Sequence, residues 1–224
     1  MFIGKSMTRR VITIGPDAGI LEARRKMEET GVRHLPVIDE YNKVVGIITD
    51  RDVRSAMPSV FSTCREDPKE IQQISAHKVG DVMNKKVITI SPMDTLQDAL
   101  LLMHKSKIGA LPVVDSDGEL KGIISRRDLI RAFINVLGIE EPGTLLCIVV
   151  EDQLGQMKKI VDAITEEGIH FGSILVAMHW EKDKRAVFPY LLTLNVAKVK
   201  RKLQNMGYKL LDPMEWSLDQ TRKI

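Results

Sequence analysis

The chain has 224 residues, 44% of them hydrophobic and 28% charged, with a formal charge of +3. Those proportions exclude a disordered or collagen-like chain, and roughly 150 residues per domain gives one to two domains. Split at Thr144, the two parts carry +1 and +2. Neither has the basic excess of a phosphate-backbone binder, so no nucleic-acid partner is expected.

Aromatic residues are only 4%, against 11 Met, so the core must be built from Val, Ile, Leu and Met. Cys64 and Cys147 stand alone, without metal-ligand spacing, and fit a reducing, cytoplasmic setting. The start, Met1-Phe2-Ile3-Gly4-Lys5, reaches a charge too early for a signal peptide. The longest apolar run, Leu145–Val150, is far short of the about 20 residues that span a bilayer, so no membrane partner is expected.

The chain repeats itself. A shift of 76 residues aligns Ile3–Ala56 with Val79–Ala132 without a gap, and 19 of the 54 positions are identical. In chain order the unit predicts a β-branched strand, Val11–Ile14 or Val87–Ile90, ended by Pro16 or Pro92. A helix follows, with Ile20, Ala23 and Met27 on one face, or Leu96, Ala99, Leu100 and Met103. The second copy of that helix offers Asp94 as N-cap with Gln97 three residues on. Leu35–Ile38 and Val44–Ile48 predict two strands joined by a tight turn. Asn42 in that turn aligns with Gly118, and both residue types tolerate positive φ. A second helix begins near Thr49 or Ser125 and runs to about Met57 or Phe133. Between the copies, Pro58–His77 is a polar insertion in which Glu66–Ile74 predicts a short helix.

These motifs resemble a tandem pair of cystathionine-β-synthase (CBS) domains, a Bateman module. Leu35-Pro36-Val37-Ile38-Asp39 with Gly46-Ile47-Ile48-Thr49-Asp50-Arg51-Asp52 carries the resemblance. Leu111-Pro112-Val113-Val114-Asp115 with Gly122-Ile123-Ile124-Ser125-Arg126-Arg127-Asp128 repeats it. The resemblance implies two βαββα repeats packed with pseudo-two-fold symmetry. It also implies an adenosine-containing ligand, AMP, ADP, ATP or S-adenosylmethionine, in the two clefts between them. In that family the motif Asp accepts from ribose hydroxyls, here Asp52 and Asp128, with Thr49 and Ser125 near the ribose or phosphate. The adenine-lining stretches become Thr13, Arg33, His34 and Val37 in one copy, and Thr89, Gly109, Ala110 and Val113 in the other. Arg51, Arg126 and Arg127 could meet phosphates. The same Thr49-x-x-Asp52 and Ser125-x-x-Asp128 also read as capping boxes that need no ligand.

After a turn-rich linker, the repeat is absent. Leu145–Val150 predicts a buried strand. A helix carrying Met157, Ile160, Val161 and Ile164 follows, then strands Ile174–Met178 and Ala186–Leu194, a helix carrying Val196, Val199, Leu203 and Met206, and a last strand at Tyr208–Leu211. That βαββαβ order is ferredoxin-like. Asp152-Gln153-Leu154-Gly155-Gln156-Met157 resembles the ligand loop of an ACT domain, with Leu154 in place of its Pro. The resemblance implies pairing between two chains as a homodimer, or an amino acid held at Asp152, Gln153, Leu154, Gly155 and Gln156. Two CBS repeats before an ACT-like unit resemble the acetoin-utilisation protein B family, which implies a regulator of carbon metabolism acting on an unnamed partner.

The expected fold class is therefore α/β (α+β). The expected segments are repeat 1 at 1–57, an insertion at 58–78, repeat 2 at 79–138, a linker at 139–144, the ACT-like domain at 145–213 and a tail at 214–224. No catalytic constellation emerges: the five His lack partners at ligand spacing, and there is neither GxGxxG nor GxxxxGK[ST]. The expected function is a non-catalytic sensor that requires no cofactor or metal. The other reading is a protein-interaction module with empty clefts.

Overall fold

A computed structural model describes residues 1–56 and 77–211. The predicted insertion helix Glu66–Ile74, Cys64 and the tail 214–224 lie outside those residues. The chain divides into two compact units, Met1–Ile130 and Arg131–Ile224.

The first unit holds both repeats as far as Ile130, within the last helix of repeat 2. In repeat 1, α1 (Ile3–Ser6) and α2 (Ile20–Thr30) precede β1 (His34–Ile38), β2 (Val44–Thr49) and α3 (Asp50–Ser55). In repeat 2, α4 (Val79–Val82), α5 (Leu96–Ser106), β3 (Ala110–Val114), β4 (Leu120–Ser125) and α6 (Arg126–Leu137) follow the same order. Each hairpin is antiparallel, with Leu35 opposite Ile48 and Leu111 opposite Ile124, all four fully buried. Asn42 and Gly118 turn the hairpins with φ of 59° and 79°, as their residue types require.

The predicted first strands reduce to single bridges, Ile14 to Val37 and Ile90 to Val113. Ile14 N donates to Pro36 O and Ile38 N donates to Ile14 O. Extending that parallel ladder would need an N–H from Pro36 on one side and from Pro16 on the other, and proline has none. Pro112 and Pro92 stop the second copy in the same way. The cap of α5 also shifts by one residue. Thr95, not Asp94, is the N-cap, and Asp98 rather than Gln97 completes the box, while Asp94 accepts from Ser91 N at 2.8 Å. Leu100, expected on the buried face of α5, is 47% exposed; its counterpart in repeat 1 is Arg24.

The repeats exchange their first segments. Ile3 N and Gly4 N donate to Asp94 O and Pro92 O of repeat 2, while Val79 N and Gly80 N donate to Ala18 O and Pro16 O of repeat 1. Val79 belongs to the core of repeat 1, among Ile20, Leu35, Ile48 and Val53. Past α1, Thr8 pairs with Ile123 on β4; past α4, Asn84 pairs with Ile47 on β2. A Cβ on Gly46 would run into Met83 Sδ, and one on Gly122 into Met7 Sδ. Both glycines and both methionines are identities of the 76-residue shift.

The second unit is one antiparallel sheet with two helices. Its elements are β5 (Thr144–Leu145), β6 (Cys147–Glu151), α7 (Gln156–Thr165), β7 (Phe171–Glu181), β8 (Lys184–Leu191), α8 (Ala197–Asn205) and β9 (Lys209–Leu211). The predicted βαββαβ order is present, with the first strand broken at buried Leu146 into β5 and β6, both on β8. Across the sheet, β9 pairs with β6, β6 with β8, and β8 with β7. The core joins Ile148, Val150, Val187 and Leu191 of the sheet to Ile160 and Ile164 of α7 and Val199 and Leu203 of α8. Met206, expected in that helix face, lies past the end of α8 and is 44% exposed. Among the described residues no helix is long and apolar enough to cross a membrane.

Gly46→Ala should destabilise the chain by about 1–3 kcal/mol in urea denaturation, as overpacking does. Adding Met83→Ala should recover part of that loss in a double-mutant cycle, because the clash is with that side chain. Additive effects would show that the exchanged segment is not held there.

Candidate ligand clefts

The last residue of each hairpin caps the helix that follows. Thr49, extended at φ −112°, is the N-cap of α3. Its Oγ1 accepts from Asp52 N at 3.3 Å, and Asp52 Oδ2 accepts from Thr49 N at 2.9 Å and Thr49 Oγ1 at 2.7 Å. Ser125 and Asp128 repeat the box at 3.4, 2.8 and 2.6 Å. Both carboxylates are thus oriented by backbone and hydroxyl before any ligand arrives.

The second oxygen separates the two copies. Asp128 Oδ1 accepts from Thr8 Oγ1 at 3.4 Å, and Asp128 is 9% exposed. Asp52 is half-buried, and its Oδ1 has no partner among the described residues. The counterpart of Thr8 is Asn84, whose side-chain oxygen is turned to Lys86 N at 2.9 Å. The difference between Thr8 and Asn84 therefore leaves the first carboxylate half-open and engages the second. Sequence reasoning missed Thr8, which lies 120 residues from Asp128; its mismatch with Asn84 was the available signal.

The other predicted residues scatter in role. Val37 and Val113 are fully buried, so their side chains belong to the core. Thr13 O already accepts from Lys26 Nζ at 3.1 Å, and Thr89 is half-buried. Arg33 is exposed, and its carbonyl accepts from Asp50 N at 3.0 Å. Arg51 and Arg127 are exposed without partners among the described residues. Arg126 Nη2 donates to Ile108 O at 3.0 Å, which ties its guanidinium to the loop before β3. Its counterpart Asp50 pairs with Arg54 at 2.6 Å.

His34 and Gly109 meet across the repeats. A Cβ on Gly109 would lie 2.9 Å from His34 Nε2, so the missing side chain of one repeat admits the imidazole of the other, beside buried Ala110. Burial holds the His34 pKa below its usual range. The charges of Arg126 and Arg33 push the same way, against Asp52 and Asp50.

A CBS-domain sequence profile matches residues 3–59 and 79–135, over half the chain. The chain belongs to the CBS-domain family. Three solved CBS structures resemble it. CBSX2, from Arabidopsis thaliana, in complex with AMP is 31% identical over 59% of this chain and 96% of that one, at a TM-score of 0.50. The CBS pair of protein MJ0100, in complex with 5'-methylthioadenosine and S-adenosyl-L-methionine, is 26% identical over 59% and 95%, at 0.50. A Vibrio cholerae protein described as an acetoin utilization protein (AcuB) is 28% identical over 63% and 98%, at 0.52. Among curated relatives the chain spans 94% of one CBS domain-containing protein, but 45% of the next and 21% of an inosine-5'-monophosphate dehydrogenase. Among the described residues no group of three His, Cys, Asp or Glu is placed to hold a metal ion.

Because the folded chain resists protonating His34, the unfolded chain binds more protons once the pH falls below 6.5, the ordinary histidine value. Unfolding free energy should therefore drop below that pH and recover above it. Denaturation at several pH values should show His34→Gln flattening this slope; an unchanged slope would assign it to other groups.

Proposed function

We propose that the chain is a non-catalytic sensor, acting in the cytoplasm, that binds an adenosine-containing ligand between its CBS repeats. The single observation that carries this reading is Asp52 Oδ1, without a partner among the described residues, beside a pre-formed cap. Asp52 Oδ2 is fixed by Thr49, while Oδ1 remains to accept from vicinal ribose hydroxyls, as a carboxylate does in dinucleotide folds. Thr49 stands at the ribose, with Thr13, Arg33, His34 and the Val37 backbone toward the adenine, and Arg51 supplies charge for a phosphate. The second cleft, with Ser125, Asp128, Thr89, Gly109, Ala110, Val113, Arg126 and Arg127, binds more weakly because Thr8 competes for Asp128 Oδ1. AMP in CBSX2, and methylthioadenosine with S-adenosylmethionine in the MJ0100 pair, support the ligand class.

Our reading of the second unit is an ACT-like, ferredoxin-like domain that joins two chains as a homodimer or takes an amino acid at Asp152–Gln156. Its βαββαβ order supports this. In that loop Asp152 pairs with Arg185 at 2.6 Å, Leu154 is fully exposed and Gly155 has φ 87°. The likeness to AcuB supports a regulatory place in carbon, acetoin-type, metabolism.

A second reading, an interaction module with empty clefts, is favoured by the two capping boxes, which hold both Asp residues in place without a ligand.

Calorimetry with AMP, ADP, ATP and S-adenosylmethionine separates the two readings. At least one should bind, and Asp52→Asn should weaken it about tenfold, the loss of roughly one charge-assisted hydrogen bond. Asp128→Asn should cost less. No heat with any of the four ligands would favour the empty module.

A further inference from the structure

The second unit carries a groove at one end of its sheet, with a volume of about 560 Å³, within the about 300–1,000 Å³ of small-molecule sites. It opens where β9 starts late: Lys209 pairs with Val149, so Val150 and Glu151 run on past the first residue of β9. Its polar lining is Glu151, Gln156, Lys159, Lys184, Tyr208 and Lys209, and exposed Met206 supplies an apolar edge.

The charges there are unbalanced. Three ammonium groups face one carboxylate. Lys184 reaches Glu181 at 3.2 Å, but among the described residues Lys159 and Lys209 make no ion pair. Nearby lysines outside the groove are neutralised: Lys158 by Asp162, and Lys202 by Glu166. A neutral donor is fixed beside them. The Tyr208 hydroxyl, half-buried, donates to Gln156 Oε1 at 2.8 Å, which leaves the Gln156 amide N–H groups to serve a ligand.

We propose that this groove binds a small metabolite bearing a doubly charged oxyanion, a phosphate monoester or a dicarboxylate. Lys159 and Lys209 supply the two counter-charges, Gln156 the directional donor and Met206 a surface for a short apolar body. The site shares only Gln156 with the amino-acid loop. It depends on neither the adenosine nor the amino-acid reading.

The test is a ¹H–¹⁵N NMR titration of the full chain with inorganic phosphate and, separately, succinate, at ionic strength held constant with chloride. Saturating shifts at the amides of Gln156, Tyr208 and Lys209 are expected with at least one probe, and the probe that produces them tells phosphate from dicarboxylate. Lys159→Met with Lys209→Met should weaken that binding at least about tenfold. An unchanged urea-denaturation midpoint and an otherwise unchanged spectrum would show that the variant is folded. Non-saturating shifts, equal affinity in the double variant, or shifts confined to the amides near Thr49 and Ser125 would each overturn the proposal. The last outcome would place the anion in the CBS clefts and leave the nucleotide reading standing.

Discussion

The reciprocal exchange of first segments is the contact on which the first unit depends. Each repeat alone is a two-stranded hairpin with short helices, and a hairpin of that size is marginal in water. Ile3 and Val79 each enter a site bounded by backbone of the other repeat, and Met7 and Met83 lie on Gly122 and Gly46. The glycines are needed because a Cβ has no room under the methionine. The methionines suit the place because an unbranched thioether adapts to a flat backbone surface. Neither repeat has a complete core until the other supplies its first turn.

That exchange also sets the surroundings of the two capping boxes. Thr8 and Asn84 are the residues that follow the exchanged methionines, and the pairing of each with the other repeat's second hairpin strand carries it toward that repeat's capping box. Thr8 has a short hydroxyl that reaches Asp128, whereas Asn84 turns back to its own chain at Lys86. Two capping boxes built from one repeated unit therefore differ at the second oxygen of their carboxylates. The capping boxes keep both aspartates in place without a ligand, so a ligand would meet an already ordered carboxylate and lose less entropy on binding.

His34 adds a second departure from symmetry. Its imidazole occupies the space that Gly109 leaves empty, between Arg126 of one repeat and Asp52 of the other. Charges of both signs therefore act on one imidazole, so a change of charge at Asp52 changes the field at His34.

The sequence determined the repeat, both hairpins, the helix faces of α2 and α7 and the capping residues Thr49 and Ser125, because these follow from spacing and side-chain preference within a few residues. It misjudged Val11–Ile14 because β-branched composition outweighed the two prolines that remove the ladder donors. It placed Leu100 inside because periodicity counts positions and not neighbours. Tertiary structure alone decided which methionine covers which glycine, that Thr8 meets Asp128, that His34 crosses to Gly109, and that Lys159 and Lys209 share a groove. Those are contacts between residues far apart in the chain, set by how the elements pack, and no local pattern encodes them.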